Sequence, residues 1–103
     1  MQLFHILSRA DWQRAVAAGT YAPPSLESEG FIHLSTAQQV GPTRRRFYAD
    51  VPGLCLIAVD SDALGDALQW ADVLHDDGTR GRFPHLHRAL ATDEAREVPF
   101  PSA

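Results

Sequence analysis

Four of the five histidines in this chain stand in short apolar segments, in Leu3-Phe4-His5-Ile6-Leu7, in Phe31-Ile32-His33-Leu34-Ser35 and in Phe83-Pro84-His85-Leu86-His87. An imidazole can donate a hydrogen bond, accept one, or carry a charge near neutral pH. A polar ring between Ile32 and Leu34 must find a buried partner or face a pocket. His33 and Ser35 are two residues apart, so on a strand they emerge on one face, and His85 and His87 share that spacing. If His5, His33 and His85 converge with Ser35, Glu29 and Ser25, they form a polar cleft suited to a phosphorylated nucleotide or to general acid and base work. The competing reading is that each histidine caps a backbone group inside a small core, and that Ser25 and Glu29 cap a turn or strand end.

Several familiar chemistries leave no trace. There is no Gly-rich phosphate loop, no CxxC pair, no HExxH and no G-x-S-x-G elbow. His85 and His87 could share a metal, but spacing assigns no third ligand, and no metal is expected. The triplet His33-Leu34-Ser35 resembles one half of the two-histidine phosphoesterases, which repeat His-x-Ser/Thr. Neither His5-Ile6-Leu7 nor His85-Leu86-His87 supplies the hydroxyl of a second half.

The elements that must position these residues follow from local pattern. Gln2 to Leu7 reads as a first strand, and Ser8 as the N-cap of a helix with Asp11 three residues on. That helix turns Trp12, Ala15 and Val16 to one face and stops at Gly19. Tyr21 to Ser28, with Pro23-Pro24, reads as a loop leading into a strand over Gly30 to Leu34. Ser35 or Thr36 caps a second helix toward Tyr48, broken or kinked at Gly41-Pro42, with Phe47 and Tyr48 packed inward. Leu54 to Val59 is a continuous apolar run, expected as a central strand covered on both faces. A short helical turn is expected over Ser61 to Gly65, a strand over Gln69 to Leu74, a polar loop over His75 to Arg82, and closing strands over Leu86 to Leu90 and Arg96 to Phe100. Helices followed by a run of strands make an α+β domain.

Composition bounds the partners. With 103 residues, 45% of them hydrophobic, the chain fits a single domain over residues 1–103 with a small core, in which Trp12 and Trp70 supply burial. A formal net charge of −4 argues against general affinity for nucleic acid or an anionic membrane. Arg44-Arg45-Arg46 runs against that balance, as a solvated helix face or as a local grip on a phosphate. The lone Cys55, in Leu54-Cys55-Leu56-Ile57, reads as packing. Without a leader pattern or a long apolar run, a cytoplasmic protein is expected. The oligomeric state is left open.

Taken together, Phe4-His5-Ile6, Trp12, Ala18-Gly19-Thr20-Tyr21, Ser25-Leu26, Glu29-Gly30-Phe31-Ile32-His33 and Ser35 resemble the family catalogued as domain of unknown function 952. Gln38-Gln39-Val40, Phe47-Tyr48, Asp60, Trp70 and Phe83-Pro84-His85-Leu86 extend the resemblance over nearly the whole chain. That family looks like a minimal member of the ADP-ribosylation superfamily. The resemblance implies a split, mixed β-sheet with two helices near the N-terminal half, gripping NAD. By it His5 matches the position that holds the adenosine ribose, and Gly30 to Ser35 the strand that orients the nicotinamide end. Phe83-Pro84-His85 falls near where transferases place a catalytic Glu.

The chain departs from these patterns where the chemistry is done. Family members carry Trp-Glu where this chain has Trp70-Ala71, with Asp72 one position on. They read Phe-Pro-His-Leu-Tyr-Gly where it reads Phe83-Pro84-His85-Leu86-His87-Arg88. The catalytic Glu therefore has no counterpart, and Glu29 is the nearest carboxylate. The reading reached is a nucleotide cleft for NAD or ADP-ribose, with His5, Ser25 and His33 binding and His33, Ser35, His85 and Glu29 placed for transferase or glycohydrolase chemistry. A non-catalytic nucleotide-binding module and a histidine-dependent phosphoesterase stand as alternatives.

Overall fold

The computed structural model describes residues 1–101. It is an α+β arrangement of three α-helices, eight strands and short 3₁₀ turns, with every named strand pairing antiparallel. The mixed sheet and the two helices implied by the resemblance are thus replaced by antiparallel sheets and three helices.

The central sheet is β1 (Gln2–Ser8), β4 (Leu54–Asp60) and β8 (Ala95–Val98), in the order β1-β4-β8. β4 is the middle strand and carries cores on both faces, as its unbroken apolar run requires. On one face Ile6 and Leu56 meet Val40 of α3 (Ala37–Tyr48), with Phe4, Tyr48 and Val98 packed against them. On the other, Leu3, Leu7, Cys55, Ile57 and Val59 meet Trp12 and Ala15 of α1 (Arg9–Ala18). Alternation along β1 puts His5 on this second, larger face, between Leu3 and Leu7.

A second sheet closes that larger core. It holds β3 (Ile32–His33), β6 (Arg80–Leu86) and β5 (Leu68–Leu74), in the order β3-β6-β5. Ile32, Leu34 and Leu86 face inward, and Trp70 packs against them half-buried. A short ribbon of β2 (Thr20–Tyr21) and β7 (Leu90–Ala91) adds Tyr21 and Leu90. The two larger sheets touch through a bridge from Phe4 to Ser35, each amide donating to the other's carbonyl at 2.8 and 2.7 Å.

The capping expectations hold at α1. Ser8 Oγ accepts from the Asp11 amide at 3.0 Å, and Gly19 ends the helix at φ +84°, a region that favours glycine. Elsewhere the structure corrects the sequence reading. A third helix, α2 (Pro24–Ser28), occupies the expected loop, because a proline at the first helical position loses no hydrogen bond it would have made. α3 runs unbroken through Pro42, started by Gln39 Oε1, which accepts from the Thr36 amide at 3.0 Å. The apolar positions of α3 do not all turn inward: Phe47 is 60% exposed, and on α1 Val16 is 53% exposed. The polar segment after His75 is a tight turn whose second arm is already β6, and Leu86–Leu90 is not one strand, since β6 ends at Leu86 and β7 begins at Leu90.

Two of the three consecutive arginines have structural partners. Arg46 donates to Asp77 at 3.2 Å and to Thr79 at 3.0 Å, tying α3 to the hairpin tip, and Arg44 lies 3.8 Å over the Phe100 ring.

Candidate functional site

The second sheet has an outer face, and His33 and His85 meet on it. In β3 and β6, Ile32 pairs with Leu86 and His33 with His85, so when the first pair turns to the core the second turns away. β5 extends the row, setting Gln69 beside His85. Asp72 pairs with Arg82 on the opposite set of positions and does not share the face of His85.

The rings form a small cluster. His33 and His85 lie edge to face with centroids 5.5 Å apart. Phe31, two residues before His33, stacks flat on His85 at 3.9 Å with an angle of 8° between planes. It also meets the edge of His33 at 4.8 Å and lies 5.4 Å from His87. The imidazole of His85 is therefore held in one orientation, and the residue is only 6% exposed. Its pKa is lowered, first by burial, then by the neighbouring charges of His33 and His87, with Glu29 opposing.

His33 is the outward member of the pair, its side chain 55% exposed. Its Nε2–H donates to Glu29 Oε2 at 2.8 Å. A carboxylate only accepts, so the hydrogen sits on Nε2 and Nδ1 is the nitrogen left to work. Glu29 follows α2, and Gly30 then turns the chain into β3 at φ +89°. Ser25 serves the same turn from within: its hydroxyl donates to the Phe31 carbonyl at 2.8 Å, and its own carbonyl accepts from Glu29 and Gly30.

His5 lies behind the face. Its Nδ1–H donates to the His33 carbonyl at 2.6 Å, and the Tyr21 hydroxyl donates to its Nε2 at 2.8 Å. Both ring nitrogens are thus engaged inside the protein. Burial, the largest effect, lowers its pKa to about 4, which keeps the ring neutral and matches this pair of bonds. Ser35 is buried and enters through its backbone, as half of the bridge to Phe4.

The structure therefore brings His33 and Glu29 together at the surface with His85 buried against them, sets His5 and Ser25 beneath as backbone supports, and places Ser35 at the seam between sheets. Phe31 is the residue the sequence reading passed over. Its signal was the same spacing of two that linked His33 to Ser35. The surface is an open face. Concavities of about 360 and 200 Å³ lie elsewhere, one between Arg9, Cys55 and Phe100 and one between Phe4, Val40 and Pro101. Neither includes a histidine. Among the described residues no group of three or more His, Cys, Asp or Glu side chains is disposed to hold a metal.

Residues 6–98 match the family described as protein of unknown function, DUF952. The chain belongs to the DUF952 family. The match contains Ser25, Glu29, Phe31, His33 and His85 and starts one residue after His5. Among solved structures, the crystal structure of protein CC0527 from Caulobacter crescentus is similar at a TM-score of 0.81 and 36% identity, covering 95% of this chain and 84% of that one. The solution NMR structure of the same protein gives a TM-score of 0.78 at 36% identity, covering 94% and 82%. No curated protein matches. The α+β fold is thus common to this chain and a solved protein.

Proposed function

We propose that this DUF952 member is a compact, cytoplasmic relative of the ADP-ribosylation superfamily and that it binds a nucleotide of the NAD or ADP-ribose type on its histidine face. One observation carries the reading. Three histidines from separate segments meet, His5 bonded to the His33 carbonyl at 2.6 Å and the His33 ring 5.5 Å from that of His85. These are the positions matched by the resemblance. His5 supports the strand, while His33, His85 and Glu29 present polar groups to a ligand. Glu29 is the carboxylate at hand for ribose chemistry, although one of its oxygens is engaged by His33. The partner is a small nucleotide rather than nucleic acid, since the chain carries a net charge of −4.

The test is thermal denaturation with NAD or ADP-ribose at millimolar concentration. A ligand present at a hundred times its Kd stabilises the folded state by about 2.7 kcal/mol, which moves Tm by several degrees. The rise is expected in the unaltered protein and absent in His33→Ala. No rise with either compound overturns the nucleotide reading. Release of nicotinamide from NAD then marks a transferase or glycohydrolase, and a Tm rise without release marks a binding module.

A further inference from the structure

We propose that His33 and His85 form an acid–base pair that hydrolyses a nucleoside cyclic phosphodiester, a step that rests on this face being a ligand site and not on the ligand being NAD or ADP-ribose. Opening such an ester needs a proton taken from the attacking water and a proton given to the departing ribose oxygen. A cross-strand pair of imidazoles supplies both from one sheet face. The rings stand 5.5 Å apart at their centroids and nearly perpendicular, at 72°, a separation on the scale of one small ligand.

The surroundings of the two rings differ, and the difference assigns their roles. His85 is buried, flat against Phe31, and faced by His33, His87 and Glu29. Its burial and the two histidines favour the neutral ring, which is the form that accepts a proton, and outweigh the opposing carboxylate of Glu29. His33 stands at the surface with Glu29 fixed on its Nε2, leaving Nδ1 toward solvent chemistry. Two titratable groups in contrasting settings are the arrangement by which one site runs acid and base steps together. In the forward step a nitrogen of neutral His85 takes a proton from water as the water oxygen bonds to phosphorus. The bond from phosphorus to the ribose oxygen breaks, and that oxygen takes the Nδ1 proton of protonated His33. The products are a phosphate monoester, protonated His85 and neutral His33. Exchange with solvent restores both rings. Glu29 and Phe31 are positioning residues, since each acts by holding an imidazole.

The probe is adenosine 2′,3′-cyclic monophosphate, with monoester formation followed by phosphorus NMR. Turnover is expected in the unaltered protein, with kcat lowered about 10²–10⁴-fold in His33→Ala and in His85→Gln, the usual range for losing a positioned acid or base. Glu29→Gln removes the carboxylate that opposes the lowered His85 pKa and is expected to displace one limb of the kcat pH profile, which a merely structural role would not do. His33 is exposed, so His33→Ala remains informative if His85→Gln folds poorly. No turnover by the unaltered protein overturns the proposal, as does turnover retained in a folded His33→Ala. A Tm rise with ADP-ribose but no turnover removes the acid–base pair and leaves the nucleotide reading. Turnover without response to NAD or ADP-ribose keeps the pair and removes that ligand class.

Discussion

Protonation of His5 should loosen this fold well before most carboxylates titrate. The neutral ring donates from Nδ1 to the His33 carbonyl and accepts the Tyr21 hydroxyl on Nε2, and its pKa falls from 6.5 to about 4 on folding. A depressed histidine pKa means that the unfolded chain binds the proton more readily. The stabilisation is therefore complete above about pH 6.5 and is lost as pH falls toward 4. At ~1.36 kcal/mol for each pH unit between the two values, about 3 kcal/mol is at stake. Urea unfolding at intervals from pH 7.5 to 4 measures it, and the slope at its steepest should approach ~1.4 kcal/mol per pH unit, the value for one proton. His85, also depressed by burial, adds in the same direction. Asp77, lowered to about 2 by its bonds from Thr79, acts in a lower window and does not confuse the result. His5→Gln keeps a polar side chain but cannot titrate, so most of the slope between pH 6.5 and 4 should vanish. Tyr21→Phe leaves Nε2 without its donor and should lower stability at pH 7 by about 1–3 kcal/mol. A flat stability curve over this range, or an undiminished slope in His5→Gln, would refute the neutral clamp.

Two further outcomes are expected. Cys55 is buried in the central strand and its thiol pKa is raised by burial, so native protein should resist alkylation at pH 7.5 while urea-unfolded protein reacts at once, as a timed thiol-labelling assay would report. Leu86→Ala, at a fully buried position facing Ile32, should cost about 2–5 kcal/mol in urea unfolding, whereas Phe47→Ser, at an exposed one, should stay within about 0.5 kcal/mol.

The parts legible from residues alone were those governed by near neighbours. Ser8 and Gly19 bound α1 because capping is settled within one turn. The run Leu54 to Val59 announced a two-sided strand because no polar residue interrupts it. Pro24 and Pro42 misled for a shared reason: proline disturbs a helix through the hydrogen bond it lacks, and the first position of α2 needs none while the surroundings of α3 tolerate one. Phe47 looked like core because aromatic residues usually are, but the face it occupies is set by packing that local pattern does not contain. At the site, the gathering of His33 and His85 follows from β3 pairing with β6, a long-range register that no spacing within either segment encodes. The role of His5 as a support, not a surface group, depends on Tyr21 reaching it from β2.

The two-residue strand β3 is sewn in on both sides through main-chain atoms. Leu34 donates to the Pro84 carbonyl, Ser35 exchanges amide bonds with Phe4, and the His33 carbonyl takes the His5 ring. None of these stitches uses the side chain of Phe31 or His33. The outward residues can therefore be exchanged without unpicking the seam that joins the sheets. A fold wired in this way can keep its frame while the chemistry displayed on it is rewritten, and libraries varied at Phe31, His33 and Glu29 should stay folded while their ligands change.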